Sequence, residues 1–524
     1  MAKKMKKIIS MLMAICSLGT VSVTSACGGV GGKVEYSEDT LYVATINKGY
    51  GTAWLEALLT DFCSTKPGLS YELTPVYSDK EILNKVEAGS GYCNYDLIFT
   101  GAIKPAATRF LANLQDVYES TYESGSRAGK TVAEAMEQTI MASMTERKDD
   151  SSYTCMPWTA QISGLLLNYT QLDKTLGDGW ENTYKLRTTN ELLAFCEVLK
   201  GKGLSPFVHC ADTNQYGNMY KAWFAQYNGV QGVEDYYNGK YIDELGESGV
   251  GPEVCKNEGV LEAMKVAEDI FRPEDGEKVK YSHEKSNGIT WEASQSFFMA
   301  GKSGMFHNGD WFATEMGKAY PDVDLQIVKT PMISALGTKL GITEEQYIQL
   351  IDYVDAVNEG KAPAKPTITS AEYNADELIE KVTEARSWVS SNAEFFTTAV
   401  VEYNKKDLAK EFLKYMVSDR GQSVYATATK GLTMAYGYDL QENDDFDSFP
   451  NFAKSRWKVI KNARYNMDTI TTKYGAAGLE PFKIMAEAPI GVWLSKKLKT
   501  AQEIYEYDYT YHSEKWSIYE QFGI

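Results

Sequence analysis

The stretch Gly301-Lys302-Ser303-Gly304-Met305-Phe306-His307-Asn308-Gly309-Asp310-Trp311 decides the fold. Residues 290–299 before it read as a helix, Gly301 ends that helix, and 303–307 form a short apolar strand. Gly309-Asp310 then turns the chain and leaves Trp311 just past the strand end. A helix that runs through a glycine into a buried strand is the joint of an α/β layer.

Working toward the N-terminus, the same plan recurs. Thr188-Thr189-Asn190-Glu191 reads as a capping box opening a helix to about residue 200, between strands at 165–168 and 206–209. Further helices are expected at 219–227 and 260–271. Upstream lie strands at 41–45, 69–75 and 95–100, with helices at 53–62 and 79–88 between them. Trp54, Leu55, Leu58, Leu59 and Phe62 share one face of the first helix. Strands alternating with helices predict a parallel sheet covered on both faces, so two α/β lobes are expected. Toward the C-terminus, amphipathic helices at 343–359 and 375–390, joined by Gly360-Lys361-Ala362-Pro363-Ala364-Lys365-Pro366, read as a helical insertion near 333–395. From 405 onward the chain is mostly helical and rich in tyrosine.

The first residues bear on location. Lys3, Lys4, Lys6 and Lys7 precede an apolar run at 8–15 that Ser17, Gly19, Thr20 and Ser22 interrupt. That is the pattern of a secretion signal rather than of a span, which needs about 20 apolar residues. Thr24-Ser25-Ala26-Cys27-Gly28 resembles a lipobox, with Thr24 where an aliphatic residue is usual. Two readings follow: cleavage before a lipidated Cys27, or ordinary cleavage after Ala26 with release. Gly28, Gly29, Gly31 and Gly32 suit a flexible tether and favour the first.

Composition excludes several classes. A net charge of -18 argues against nucleic acid as a partner. Cys63, Cys93, Cys155, Cys196, Cys210 and Cys255 form no CxxC pair and read as structural thiols or bridges. The four histidines show no zinc spacing, so neither metal nor cofactor is expected. GxSxG, HExxH and Walker-type loops are absent from the sequence, and no carboxylate pair is singled out, so no catalytic residue is assigned and a binding role is expected rather than an enzyme.

Five segments in order resemble family 1 extracellular solute-binding proteins, the maltose-binding-protein-like group. They are Asn47-Lys48-Gly49-Tyr50-Gly51; Tyr95-Asp96-Leu97-Ile98-Phe99-Thr100-Gly101; Met156-Pro157-Trp158 with Gly164-Leu165-Leu166-Leu167-Asn168-Tyr169; the 301–311 stretch; and Asn404-Lys405-Lys406-Asp407-Leu408-Ala409-Lys410-Glu411-Phe412-Leu413. The resemblance covers roughly residues 40 to 430 and implies an α/β, two-lobed periplasmic-binding-protein-like fold of type II, with a cleft between lobes, a helical insertion and a helical C-terminus. It divides the chain into a signal peptide (1–26), a lipidated Cys27 and tether (27–37), an N-terminal lobe (38–155 plus 330–400) and a C-terminal lobe (156–329 plus 401–524). Crossings are expected near 155–157, 327–332 and 399–404. It implies an oligosaccharide ligand, delivery to the permease subunits of an ABC importer, and attachment to the outer face of the cell membrane through Cys27.

A sugar needs aromatic platforms for its C–H faces and polar side chains for its hydroxyl rim. Trp311 is the leading platform, with core packing as the alternative. Trp158 is either a platform or a wedge fixing the crossing, and Trp493 matches a second-lobe stacking aromatic. Lys48 and Tyr50 sit past the end of the first strand, where parallel sheets bind ligands. Thr100 and Gly101 occupy the equivalent edge, where glycine permits close backbone approach or simply turns the chain. Asp310 either accepts hydroxyls or stabilises its turn. A peptide or amino acid would favour an Arg clamp, which the proposed loops lack; a polyamine binder or a glycan-active enzyme is the remaining alternative.

Cys27 provides a direct test of location. A Cys27→Ala protein is expected to move from the membrane fraction to the soluble fraction; equal membrane retention of variant and parent would rule out the anchor.

Overall fold

The computed structural model describes residues 36–522, apart from 102, 104–108, 137–152, 160, 211–215, 244–245, 273–278, 391–395, 468–472 and 483–499. Two central sheets organise it. The first contains β1 (Thr40–Ile46), β2 (Ser70–Val76), β3 (Leu97–Thr100) and β4 (Met156–Pro157), and the second contains β5 (Ser163–Asn168), β6 (Ser205–Phe207), β7 (Ser303–Gly309) and β8 (Leu325–Val328). β9 (Thr397–Val400) returns to the first sheet, whose order is β2-β1-β3-β9-β4; the second runs β8-β5-β7-β6.

In the first sheet β1 is parallel to β2 and β3, and β9 is antiparallel to β3 and β4. Nearly every β1 side chain is buried, because helices cover both faces of a parallel core. Helix α1 (Ala53–Ser64) buries Trp54, Leu55, Leu58, Leu59 and Phe62, the face expected from spacing. Helix α2 (Asp79–Glu87) buries Ile82, Leu83 and Val86.

The second sheet departs from a repeat of the first. β5 is antiparallel to both β7 and β8, and only β6 and β7 run parallel. Its strands alternate between two apolar clusters: Leu165, Leu167 and Met305 join a second-lobe core, while Leu166, Phe306 and Ile327 join a cluster continuous with the first sheet. Both faces are therefore covered. The outer face is covered by α3 (Thr189–Gly201), α4 (Gly217–Tyr237) and α5 (Glu258–Phe271), and α6 (Trp291–Met299) precedes β7. Only half of the expected capping box forms at α3. Thr188 accepts from the Glu191 backbone N–H, whereas the Glu191 carboxylate accepts from the Arg187 N–H at 2.8 Å.

The insertion helices α7 (Glu344–Asn358) and α8 (Ala375–Arg386) belong with the second lobe, not with the first, where residues 330–400 were expected. Tyr347, Leu350, Ile351, Val354, Leu378 and Val382 enter the second-lobe core, and Arg386 grips Asp355 with two bonds of 3.0 and 2.8 Å. Gly229 breaks α4 with φ 70°, and there the Glu384 carboxylate of α8 accepts from the Val230 N–H at 2.7 Å. A Cβ at residue 229 would lie 2.5 Å from that carboxylate oxygen, so glycine is needed for the dock.

The C-terminal half is also redistributed. Helices α9 (Lys406–Val417) and α10 (Asp419–Thr429) pack on α1, placing Phe412, Leu413, Met416 and Tyr425 in the first-lobe cluster, although 401–524 was expected in the second lobe. Helix α11 (Asn451–Lys461) then packs on β8, and α12 (Ala501–Phe522) on α5. The chain therefore crosses at 157–163, at 389–397, and between α10 and α11. No crossing occurs at 327–332, because Met332 is tied into the second lobe by its N–H to Arg187 O and its carbonyl from Thr189 N–H. The first two crossings run side by side: Trp158 N–H donates to Phe396 O at 3.1 Å and Ser163 N–H to Ser390 O at 2.7 Å. No disulfide is seen among the six described cysteines, and five of them are buried.

Candidate functional site: the interlobe cleft

The loop after β1 and the loop after β7 meet between the lobes. In the first, Gly51 has φ 64° and its N–H bonds Lys48 O at 2.6 Å, which turns Lys48, Gly49 and Tyr50 toward the second lobe. In the second, Trp311 folds its indole back over the strand end. A Cβ at Gly309 would lie 1.8 Å from the ring, so the glycine in the Asn308-Gly309-Asp310-Trp311 turn exists to make room for the indole.

Beneath this meeting point lies a buried ion pair. Asp310 receives the Tyr50 hydroxyl at 2.6 Å on one carboxylate oxygen and Arg456 Nε at 2.5 Å on the other, and a second Arg456 nitrogen donates to Thr433 Oγ1 at 3.1 Å. Both charged side chains are 0% exposed. Burial, followed by the Asp310 charge, drives the Tyr50 hydroxyl well above its ordinary pKa, so it is a permanent donor. Asp310 is thus a structural group completed by the opposite lobe, with both oxygens bonded within the protein and shielded from a ligand hydroxyl by burial.

Above the pair is a cavity of about 400 Å³ lined by Lys48, Gly49, Tyr50, Gln161, Trp311, Glu315 and Phe396. It unites the sequence-predicted Lys48, Tyr50 and Trp311 with three residues not anticipated. Gln161 lies in the first crossing and is 8% exposed, and its amide oxygen has no hydrogen-bond partner among the described residues. Glu315 sits four residues after Trp311 on the short helix Phe312–Met316. Gln295 Nε2 donates to it at 3.3 Å, and burial raises its pKa above the ordinary carboxylate value. Phe396 adds an apolar wall. Only the i, i+4 spacing of Glu315 from Trp311 was visible in the sequence as a hint; Gln161 and Phe396 belong to no motif.

Other predicted contacts lie elsewhere. Trp158 is 1% exposed and stacks on Trp54 with ring centroids 4.4 Å apart, with Phe396 and Tyr50 against its other sides. It is the wedge of the crossing, not a platform, because a side chain packed on every side has no face for a ligand. Thr100 is buried and donates to Gly101 O at 3.0 Å. Gly101 does permit a close approach, but of Asp79: its N–H donates to Asp79 Oδ1 at 2.7 Å, and a Cβ would lie 3.2 Å from Oδ2. Asp79 in turn pairs with Lys48 at 3.6 Å, which places Lys48 at the cavity rim. Trp493 lies outside the described residues.

Two α/β lobes, a paired hinge and a polar-aromatic cavity between them define a type II periplasmic-binding-protein fold. The chain belongs to the family of bacterial extracellular solute-binding proteins, which it matches over residues 97–454. Among solved structures it is similar to the solute receptor AcbH, described as exclusive for β-D-galactopyranose, with TM-score 0.54 and 12% identity over 92% of this chain and 100% of that one. It is also similar to a chitin oligosaccharide binding protein (TM-score 0.53, 14% identity, 91% and 98% covered) and to a protein of xylan utilization from Caldanaerobius polysaccharolyticus (TM-score 0.53, 14% identity, 90% and 99% covered). No curated protein sequence matches the chain.

The two tryptophans separate in one experiment. Trp158→Ala is expected to destabilise the protein by about 3–5 kcal/mol in denaturant unfolding, whereas Trp311→Ala should melt near the parent and lose ligand affinity; the reverse pattern would exchange their roles. Tyr50→Phe leaves a buried carboxylate oxygen unpaired only when the lobes touch, a cost of about 1–3 kcal/mol. Small-angle scattering should therefore show this variant more open than the parent, with every ligand weakened by a similar factor.

Proposed function

We propose that this protein captures an oligosaccharide in the interlobe cavity and delivers it to the membrane permease of an ABC importer, tethered to the outer face of the membrane by a lipidated Cys27. The observation that carries the ligand assignment is the combination of the Trp311 ring with an unpartnered, buried Gln161 amide oxygen and the Glu315 carboxylate in one cavity. A pyranose supplies what each lacks: C–H groups for the ring and hydroxyl donors for the two acceptors. The volume lies within the ~300–1,000 Å³ range of small-molecule pockets, toward its lower end, which suits a short saccharide. An amino acid or peptide would call for a free cation to meet its carboxylate, and among the described lining residues the one cation is Lys48, already paired with Asp79.

Binding without turnover is the accompanying reading. Glycoside hydrolysis by two carboxylates requires a second acid across the bond. Among the described residues lining the cavity Glu315 is the one carboxylate, since Asp310 beneath it is held by Arg456 and Tyr50.

Capture works by closure. Lys48, Gly49 and Tyr50 come from the first lobe, Trp311 and Glu315 from the second, and Gln161 and Phe396 from or beside the paired crossings. A ligand bridging them binds the closed arrangement better than the open one, and that difference drives closure.

Calorimetry of the mature protein against xylo-, chito-, malto- and raffinose-type oligosaccharides is expected to yield heat for at least one, with the sugar recovered intact by mass spectrometry. Failure of every saccharide while a peptide or polyamine binds would overturn the ligand class. Cleavage abolished by Glu315→Gln would make the protein an enzyme. The raised Glu315 pKa sets a pH dependence: hydroxyl donors favour the ionised form, so affinity should fall as pH drops through a midpoint above the ordinary value of about 4.3, and Glu315→Gln should flatten that profile. By linkage, burying the Glu315 carboxylate without ligand favours the protonated protein, so this group's stabilising contribution is full below its unfolded pKa and is lost as pH rises through the raised one.

A further inference from the structure

A larger cavity, of about 590 Å³, lies at the other end of the second sheet. Its lining includes Ser205 and Ser303's neighbour Lys302, at the starts of β6 and β7, whereas the cleft receives the opposite ends, Ser163 and Gly309. Seven residues of β7 separate the two sites by about 20 Å. The distal cavity is therefore independent of the oligosaccharide site.

Its walls collect cations from three parts of the chain. Lys200 and Lys202 come from the end of α3, Lys280 and His283 from the segment leading to α6, and Lys302 from the turn after α6; among the described residues Glu284 is the one carboxylate in the lining. Lys280 is committed, pairing with Glu197 at 3.0 Å, and Glu197 also accepts from Tyr281 at 2.6 Å. Among the described residues neither Lys202 nor Lys302 has a carboxylate partner, and both are exposed. With Lys280 taken up by Glu197, Lys200, Lys202 and Lys302 face one carboxylate among the described lining residues, in a chain of net charge -18. Exposed carboxylates more than about 8 Å away weaken this local field little, because they are largely screened at physiological salt.

Lysine near a helix C-terminus also offsets the helix dipole, which suits Lys200, Lys202 and Lys302 individually. It does not account for their convergence, with Lys280, on one cavity edged by Gln171, Thr175, Ser205 and Asn287. We propose that this distal cavity is a second binding site, for an oligoanion whose carboxylate or phosphate groups bridge Lys202 and Lys302. Such a site would let the protein hold or sense an anionic solute while the cleft is free or occupied.

The test uses the whole mature protein with tripolyphosphate and trigalacturonate as probes, the first carrying phosphate and the second carboxylate groups. At least one should bind by calorimetry and weaken several-fold between about 0.02 and 0.2 M salt; which one binds assigns the anion. Lys202→Gln with Lys302→Gln should lose about tenfold or more in affinity, while cleft binding of an oligosaccharide is unchanged. Lys202→Arg with Lys302→Arg should keep the anion, which guards against a folding artefact in the glutamine variant. Absence of binding by both probes up to about 10 mM, or equal affinity in the glutamine variant and the parent, would overturn the site and leave these lysines as helix-end charges.

Discussion

Asp310 and Arg456 lie 146 residues apart and form an ion pair with no solvent contact. Taking two charges out of water costs more than their attraction returns unless the remaining lone pairs and protons are also satisfied, and losing one partner costs about 3–5 kcal/mol. Here Tyr50 and Thr433 supply the missing bonds. Tyr50 follows β1 in the first lobe, Asp310 follows β7 in the second, Thr433 lies in the third crossing and Arg456 is on α11. Four separate segments are thus tied to one point by a penalty that falls on any arrangement lacking one of them.

That point governs the cleft. Trp311 is the residue after Asp310, so fixing the carboxylate aims the indole, and Gly309 clears the space in which it lies. Tyr50 joins buried pair and cavity wall, which makes contact between the lobes and formation of the cavity the same event. Among the described residues of the hinge, backbone bonds join its two segments at Trp158–Phe396 and Ser163–Ser390. The Trp54–Trp158 stack keeps the first crossing rigid where it leaves the first lobe.

The second lobe is enlarged on its outer side, not at the cleft. Helices α7 and α8 extend its apolar core through Tyr347, Leu350 and Val382 and dock on the break in α4 at Gly229. The enlargement leaves the cavity lining to the loops after β1 and β7 and to the crossings. The chain keeps the architecture of solved structures to which it is 12–14% identical.

Local periodicity determined most of the elements. The α1 face, the 301–311 helix-glycine-strand joint, the two α/β lobes and the position of Trp311 at a strand end all follow from the spacing of apolar residues and glycines, which constrain backbone geometry within a few residues. Lys48, Tyr50 and Trp311 were legible as neighbours of strand ends for the same reason. Only the tertiary structure decided that α7 and α8 belong to the second lobe and α9 and α10 to the first, because an amphipathic helix shows that it has an apolar face but not which core completes it. It alone made Trp158 a buried wedge, turned Asp310 into half of an ion pair with Arg456, and brought Gln161, Glu315 and Phe396 to the cavity. Those roles depend on contacts between residues far apart in the chain, and no local spacing encodes the partner.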